Sequence, residues 1–192
     1  MNVIYNLFDT QLTKETKAVI FDCFGTLMEI REKHMPYKYL REELYKNNIV
    51  VDNFAQLVME NKCDIEDIEK LSKFKFSNEQ KIKFKQMLEK ELRSVHIFDD
   101  VNQYLKDLKE KNIKTMLCSN LAFPYGKSAK SLTFPLDKYI LSYEVGHIKP
   151  HKEIFQICLD QLSLQKEEVV YVGDSVKDDY NGATSFGIKA FL

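Results

Sequence analysis

Short apolar runs that stop abruptly at polar residues constrain this chain more than any other feature. The first is KAVIFD at residues 17–22, and Gly25 and Thr26 follow at once. β-Branched and aromatic content bounded by a turn signal predicts a buried strand. A second strand is predicted at residues 113–118, ending at Ser119 and Asn120, and a shorter one at 139–142. A fourth, at residues 169–172, ends at Gly173 and Asp174, and a last one follows Gly187 at 188–192. Helical periodicity separates these runs. Asp99 or Asp100 is positioned to cap a helix carrying Val101, Tyr104, Leu105 and Leu108, which Asn112 ends. Pro150 is expected to start a helix through Leu162, with Ile154, Phe155, Ile157, Cys158 and Leu162 as its apolar face. Another helix is expected over residues 177–186. Strands alternating with helices imply a parallel sheet with right-handed crossovers. The expected fold is α/β, a Rossmann-like sheet of about five strands.

Between the first two runs lies a stretch too long for one crossover. No glycine occurs from Thr26 to Tyr125. Tyr37, Leu40, Leu44 and Tyr45 recur at helical spacing, as do Phe84, Met87, Leu88 and Leu92. Ser77 with Gln80 forms a possible capping box for the latter helix. Residues 31–94 are therefore read as an inserted α-helical cap, and residues 1–30 and 95–192 as the α/β core. Residues 1–16 are mixed and polar, a leader or a short helix, and no further domain is expected.

Composition excludes several classes. The 192 residues carry 28 Lys plus Arg against 29 Asp plus Glu, a net charge of −1, which argues against a nucleic-acid binder. With 44% of residues hydrophobic and 12% aromatic, a real core is expected rather than disorder. The apolar run nearest the N-terminus, residues 18–21, is too short for a membrane span or a signal segment. Cys23, Cys63, Cys118 and Cys158 show no C-x-x-C spacing, which argues against a zinc site or a disulfide framework. Buried, reduced thiols in a cytoplasmic protein are expected. The lysines at 73, 75, 81, 83, 85 and 90 read as a solvated helix face, or as a field drawing an anionic substrate to the cap. His147 and His151 flank Lys149 and read as surface residues.

In open parallel sheets, sites form at the carboxyl ends of the strands. Here those ends offer Asp22, Ser119 with Asn120, Lys149 before Pro150, and Asp174 with Asp178 and Asp179 close behind. A carboxylate can act as a nucleophile and form a covalent intermediate. If the electrophile is a phosphoryl group, a Mg²⁺ held by Asp22 and Asp174 offsets the charge, while Lys149 and Ser119 clamp the phosphoryl oxygens.

FDCFGTL at 21–27, LCSN at 117–120, IKP at 148–150 and VGDSVKDD at 172–179 resemble, in that order, the four motifs of the haloacid dehalogenase (HAD) superfamily. The resemblance covers the core, and the cap position is similar to the family's helical type-one cap. It implies that Asp22 is the nucleophile, Thr26 supports the turn after it, Ser119 binds the substrate's oxyanion and Lys149 holds nucleophile and substrate group together. It further implies a Mg²⁺ site made by Asp22, the Phe24 carbonyl and Asp174, with Asp179 as the second acidic partner. Substrate contacts are expected at Phe24, Gly25, Ser119, Asn120 and Lys149. Gly25 would allow the tight turn, and Gly182 close helix packing.

One position departs from the pattern. Family phosphatases carry a second aspartate two residues after the nucleophile, which protonates the leaving group and later activates water. Here it is Phe24, which cannot transfer a proton. An aromatic residue there is similar to the 2-haloacid dehalogenase branch, in which halide leaves unprotonated. That branch needs no metal and tends to bind halide with a cap arginine, for which only Arg31, Arg41 and Arg93 exist. The expected function is a Mg²⁺-dependent phosphatase on a small, anionic, phosphorylated metabolite. The alternatives are a dehalogenase-type hydrolase and a non-catalytic regulatory member. The protein is expected to act as a monomer or homodimer in the cytoplasm, without a nucleic-acid or membrane partner.

Overall fold

The computed structural model describes residues 12–131 and 136–192. Most of the expected leader, residues 1–11, lies outside them. Strand β1 (Ala18–Phe21) is followed by the short β2 (Met28–Ile30). Four helices come next: α1 (Pro36–Lys46), α2 (Phe54–Glu60), α3 (Ile65–Ser72) and α4 (Asn78–Arg93). The chain returns through β3 (Val95–Ile97) to α5 (Val101–Glu110) and β4 (Lys114–Ser119). Then follow α6 (Gly126–Ala129), β5 (Lys138–Leu141), α7 (Ser142–Val145) and α8 (Lys152–Leu162). β6 (Val169–Val172), α9 (Gly182–Phe186) and β7 (Lys189–Phe191) complete the order. No helix among the described residues is long and apolar enough to cross a membrane.

The fold is α/β, with a five-stranded sheet in the order β5-β4-β1-β6-β7, every neighbouring pair parallel. Strand side chains alternate between faces, so each strand feeds two cores. Ala18, Ile20, Met116, Cys118, Val169 and Tyr171 pack with α8 residues Phe155, Cys158 and Leu162 on one face. Val19, Phe21, Leu117, Val170 and Val172 pack with α5 residues Val101, Tyr104, Leu105 and Leu108 on the other. That second cluster continues into the helical insertion through Leu40, Leu44, Phe54, Val58, Ile68 and Phe84. The insertion enters and leaves through β2 and β3, an antiparallel pair that the periodicity did not reveal because each strand has only three residues.

Within the insertion the predicted Ser77–Gln80 capping box opens α4, and a second, Asp64–Asp67, opens α3. Tyr37 stacks edge-on against Phe84 at 5.4 Å and so joins α1 to α4. Tyr45, expected on the apolar face of α1, is 74% exposed. The basic stretch divides by partner. Lys81 and Lys75 reach the buried Glu69 at 2.9 and 3.2 Å, and Lys83 lies over the Tyr39 ring.

Two expected helices differ in detail. The helix expected from Pro150 begins at Lys152, because Pro150 lies in a turn closed by the His151 N–H donating to the Ile148 carbonyl at 3.0 Å. The helix expected over residues 177–186 is a π-helical stretch, Val176–Asn181, followed by α9. Ser175 starts it, with its side chain accepting from the Asp178 N–H. All four cysteines are free and buried, as expected.

Candidate active site

Asp22 stands at the carboxyl end of β1, the central strand, between the ends of β4 and β6. Its N–H donates to the Val172 carbonyl at 2.8 Å, which carries the parallel ladder one residue past the strand. The chain then turns sharply: Gly25 N–H donates to Met28 O at 2.7 Å, and Leu27 N–H to Cys23 O at 2.9 Å. Gly25 has φ +100°, and a Cβ there would lie 2.0 Å from Asp174 Oδ2. Only glycine permits both the turn and the approach of Asp174. Backbone hydrogen bonds hold this turn. Thr26 Oγ1, expected to support it, is buried with no hydrogen-bond partner among the described residues.

Ser119, at the end of β4, donates from Oγ to Asp22 Oδ1 at 2.9 Å. Lys149 Nζ donates to the same oxygen at 2.6 Å. Among the described residues Asp22 Oδ2 accepts no hydrogen bond, so one carboxylate oxygen is held and the other is left for chemistry. Lys149 comes from the loop between α7 and α8 and is 3% exposed. Asn120 fixes it there by a two-way clasp: the Lys149 N–H donates to Asn120 Oδ1 at 2.8 Å, and Asn120 Nδ2 donates to the Lys149 carbonyl at 3.0 Å. Asn120 is thus committed to the backbone that carries the lysine.

The ammonium of Lys149 also donates to Asp179 Oδ1 at 2.6 Å and to the Tyr171 hydroxyl at 2.9 Å. All three of its protons are therefore placed. Burial pulls its pKa down, and the charges of Asp22 and Asp179 more than offset that, so the ammonium is held above the ordinary lysine range. Asp179 Oδ2 accepts the Ser175 N–H at 3.0 Å. Tyr171 is the site residue that the motifs did not reveal. The signal available was a polar-tipped aromatic within the aliphatic strand VVYV.

Asp22, Asp174 and Asp179 offer carboxylate oxygens that lie within 4.8 Å of one another, as a divalent cation requires. Asp178 is outside this group. Burial raises the Asp174 pKa, and the charges of Asp22 and Asp179 raise it further. Lys149 pairs directly with the other two acids, whereas among the described residues no cation pairs with Asp174. The donor set fits a hard cation seated between Asp22 and Asp174. Cys23, next to Asp22, is a packed thiol: burial, with the Asp22 charge adding to it, holds its pKa well above the ordinary value.

Phe24 turns away from the acids. Its ring meets Tyr125 edge-on at 6.0 Å and borders a cavity of about 590 Å³ between the sheet end and the helical insertion. Glu91 of α4 is a second residue the motifs left unmarked. It is buried at this cavity and accepts the N–H groups of His34 and Met35 at 2.7 Å each, together with the Tyr125 hydroxyl.

With this geometry in place, comparison with known proteins identifies the family. The model for haloacid dehalogenase-like hydrolases matches residues 16–187, and the chain belongs to that family. Among curated relatives, a ribulose-1,5-bisphosphate 5-phosphatase of Halopiger xanaduensis is 28% identical over 104 residues, 53% of this chain and 44% of that one. A glyceraldehyde 3-phosphate phosphatase of Methanocaldococcus jannaschii is 44% identical over 52 residues, 27% of this chain and 23% of that one. The matches thus span less than half the length of these curated relatives. A HAD family enzyme from Bacteroides thetaiotaomicron, solved with magnesium and inorganic phosphate, superposes with a TM-score of 0.66 at 21% identity, covering 92% of this chain and 93% of that one.

Proposed function

We propose that this chain is a Mg²⁺-dependent phosphatase that releases inorganic phosphate from a small phosphorylated metabolite through an aspartyl-phosphate on Asp22. One observation carries this reading. Ser119 and Lys149 hold the same oxygen of Asp22 at 2.9 and 2.6 Å, beside the carboxylates of Asp174 and Asp179. Asp22 Oδ2 attacks phosphorus, while Ser119 and Lys149 hold the nucleophile through Oδ1 and the Lys149 charge offsets that of the phosphoryl oxygens. Water then cleaves the acyl phosphate. Asp22, Asp174 and the Phe24 carbonyl would hold the Mg²⁺, whose charge offsets that of the phosphoryl group. Asp179 steadies Lys149 from behind and so acts on the nucleophile through the lysine.

The helical insertion at residues 31–94 is read as a cap of the family's type-one kind, on a core of residues 1–30 and 95–192. It covers the substrate, and Gly25 and Asn120 line the approach. The free, buried cysteines suit a reducing compartment, and we place the protein in the cytoplasm as a monomer or homodimer. The test is release of phosphate from a panel of phosphate esters with Mg²⁺ and with EDTA, using Asp22→Asn as the control. Turnover that needs both Mg²⁺ and Asp22 is expected. No turnover, or full activity in EDTA, overturns the reading.

Phe24 favours a second reading, carbon–halide hydrolysis at the same Asp22. It predicts chloride release from 2-chloropropionate that persists in EDTA and is lost in Asp22→Asn.

A further inference from the structure

We infer that the substrate's departing group is an anion that leaves without being protonated, as from an aryl, enol or acyl phosphate, and that its apolar body occupies the cavity beside Phe24. This rests on the phosphatase reading and deepens it. The cavity, about 590 Å³, reaches the site at two places: Phe24, two residues past the nucleophile, and Asn120, next to Ser119. Its walls include Phe24, Tyr37, Phe54, Val58, Leu121 and Tyr125, which suit an apolar body and offer little to a polyhydroxylated one.

An alkoxide is a poor leaving group and is protonated as it departs, which a positioned acid accelerates by about 10² to 10⁴. Among the described residues that line this cavity, none is placed to supply that proton. Phe24 has none to give. The Tyr125 hydroxyl donates to Glu91, and Glu91 is itself an acceptor filled by the His34 and Met35 N–H groups. Burial makes both Tyr37 and Tyr125 weaker acids than a free phenol. The Ser119 proton and all three of Lys149 are already placed. Lys33, Lys38 and Arg41 also border the cavity but are exposed to solvent.

The step balances without an acid. Asp22 Oδ2 bonds to phosphorus, and the bond from phosphorus to the bridging oxygen breaks. That oxygen leaves with the electron pair as aryloxide, enolate or carboxylate. Water then attacks phosphorus, the Asp22 carboxylate is regenerated, and the water's proton passes to solvent as inorganic phosphate departs.

The test is kcat/KM with Mg²⁺ for acetyl phosphate, 4-nitrophenyl phosphate, phenyl phosphate and glycerol phosphate. In the natural protein the nitrophenyl ester is expected to exceed phenyl phosphate by about 10²-fold, and glycerol phosphate by more. Phe24→Asp, which supplies an acid, is expected to narrow the nitrophenyl-to-glycerol ratio by about 10²-fold. If circular dichroism shows that variant unfolded, the series on the natural protein decides alone. Ala55→Trp fills the cavity from an exposed wall position and is expected to raise KM for 4-nitrophenyl phosphate about tenfold, and for acetyl phosphate much less. Equal KM effects on the two would overturn the cavity assignment. Glycerol phosphate turned over as well as the nitrophenyl ester would overturn the proposal and leave the phosphatase reading standing. No turnover of any ester, acetyl phosphate included, would overturn the phosphatase reading itself.

Discussion

Replacing Tyr171 by phenylalanine removes one hydroxyl from the centre of the site and little else. The ring keeps its edge-on contact with Phe155, at 5.7 Å and 72°. The lost hydroxyl accepts from Lys149 Nζ at 2.9 Å and stands 3.0 Å from both the Cys118 carbonyl oxygen and Asp179 Oδ1, to one of which it donates. Tyr171 is fully buried and Lys149 nearly so, which leaves no open route for water to take its place. A hydrogen bond to a charged group contributes about 1.5–3 kcal/mol, and a buried acceptor left without its donor costs about 1–3 kcal/mol more. Asp179 Oδ1 keeps Lys149, so the lower part of that range applies, and the expected loss is about 3 kcal/mol. For a chain of this size each kcal/mol lowers Tm by about 2–4 °C, so Tyr171→Phe is expected to melt roughly 6–12 °C early. Urea titration should show a lower midpoint at unchanged slope, since the surface exposed on unfolding is the same. A Tm within about 2 °C of the natural protein would refute the claim that this hydroxyl holds Lys149.

Three other variants probe separate parts of the structure. Gly25→Ala places a Cβ at φ +100° and 2.0 Å from Asp174 Oδ2, and is expected to cost about 1–3 kcal/mol of stability in thermal melts. Mg²⁺ is expected to stabilise the natural protein by about 2.7 kcal/mol at a hundredfold excess over Kd, and Asp174→Asn to abolish that gain; urea titration with and without MgCl₂ reads both. Glu69→Gln tests the insertion by pH. Hydrogen bonding from Lys81 holds the Glu69 carboxyl below its ordinary value of 4.5, so its contribution is complete above that pH and is lost as pH falls through the lower, folded value. The variant should therefore melt below the natural protein at pH 7, with the gap closing in melts taken below pH 4.5.

What the sequence made legible follows from periodicity and from spacing. The core strands and α5 were readable because each has a clear face and a punctuating residue, as with Asn112 after α5. The strand-end polar residues converged as expected, because a parallel sheet brings all its carboxyl ends to one edge. Three things were not legible. β2 and β3 are too short to show alternation, and only their pairing makes them strands. The start of α8 was read from Pro150, but the proline is spent on the turn that delivers Lys149. Tyr171 and Glu91 act through long-range contacts, and nothing in their neighbours' spacing marks them. Glu91 sits in a helix otherwise rich in solvated charge, where one buried carboxylate looks like the others.

The strand order explains why these groups meet. From β1 the chain passes to β4 and β5 on one side, then crosses to β6 and β7 on the other. The connections leaving β4 and β6 therefore diverge from either flank of β1 and open a crevice over its end. Asp22 lies in that crevice, with Ser119 from one neighbour and Asp174 from the other. Lys149 starts one strand further out, beyond β4, and the Asn120 clasp ties its backbone to the end of β4. The insertion also leaves from β1, a few residues past Asp22, and its β2–β3 stem fixes where it begins and ends. Asp22, Phe24 and the stem thus share one short connection. A change in that connection moves the Asp22 carboxylate and the cavity wall together, so the proposed chemistry and the choice of departing group would be coupled through the same few residues.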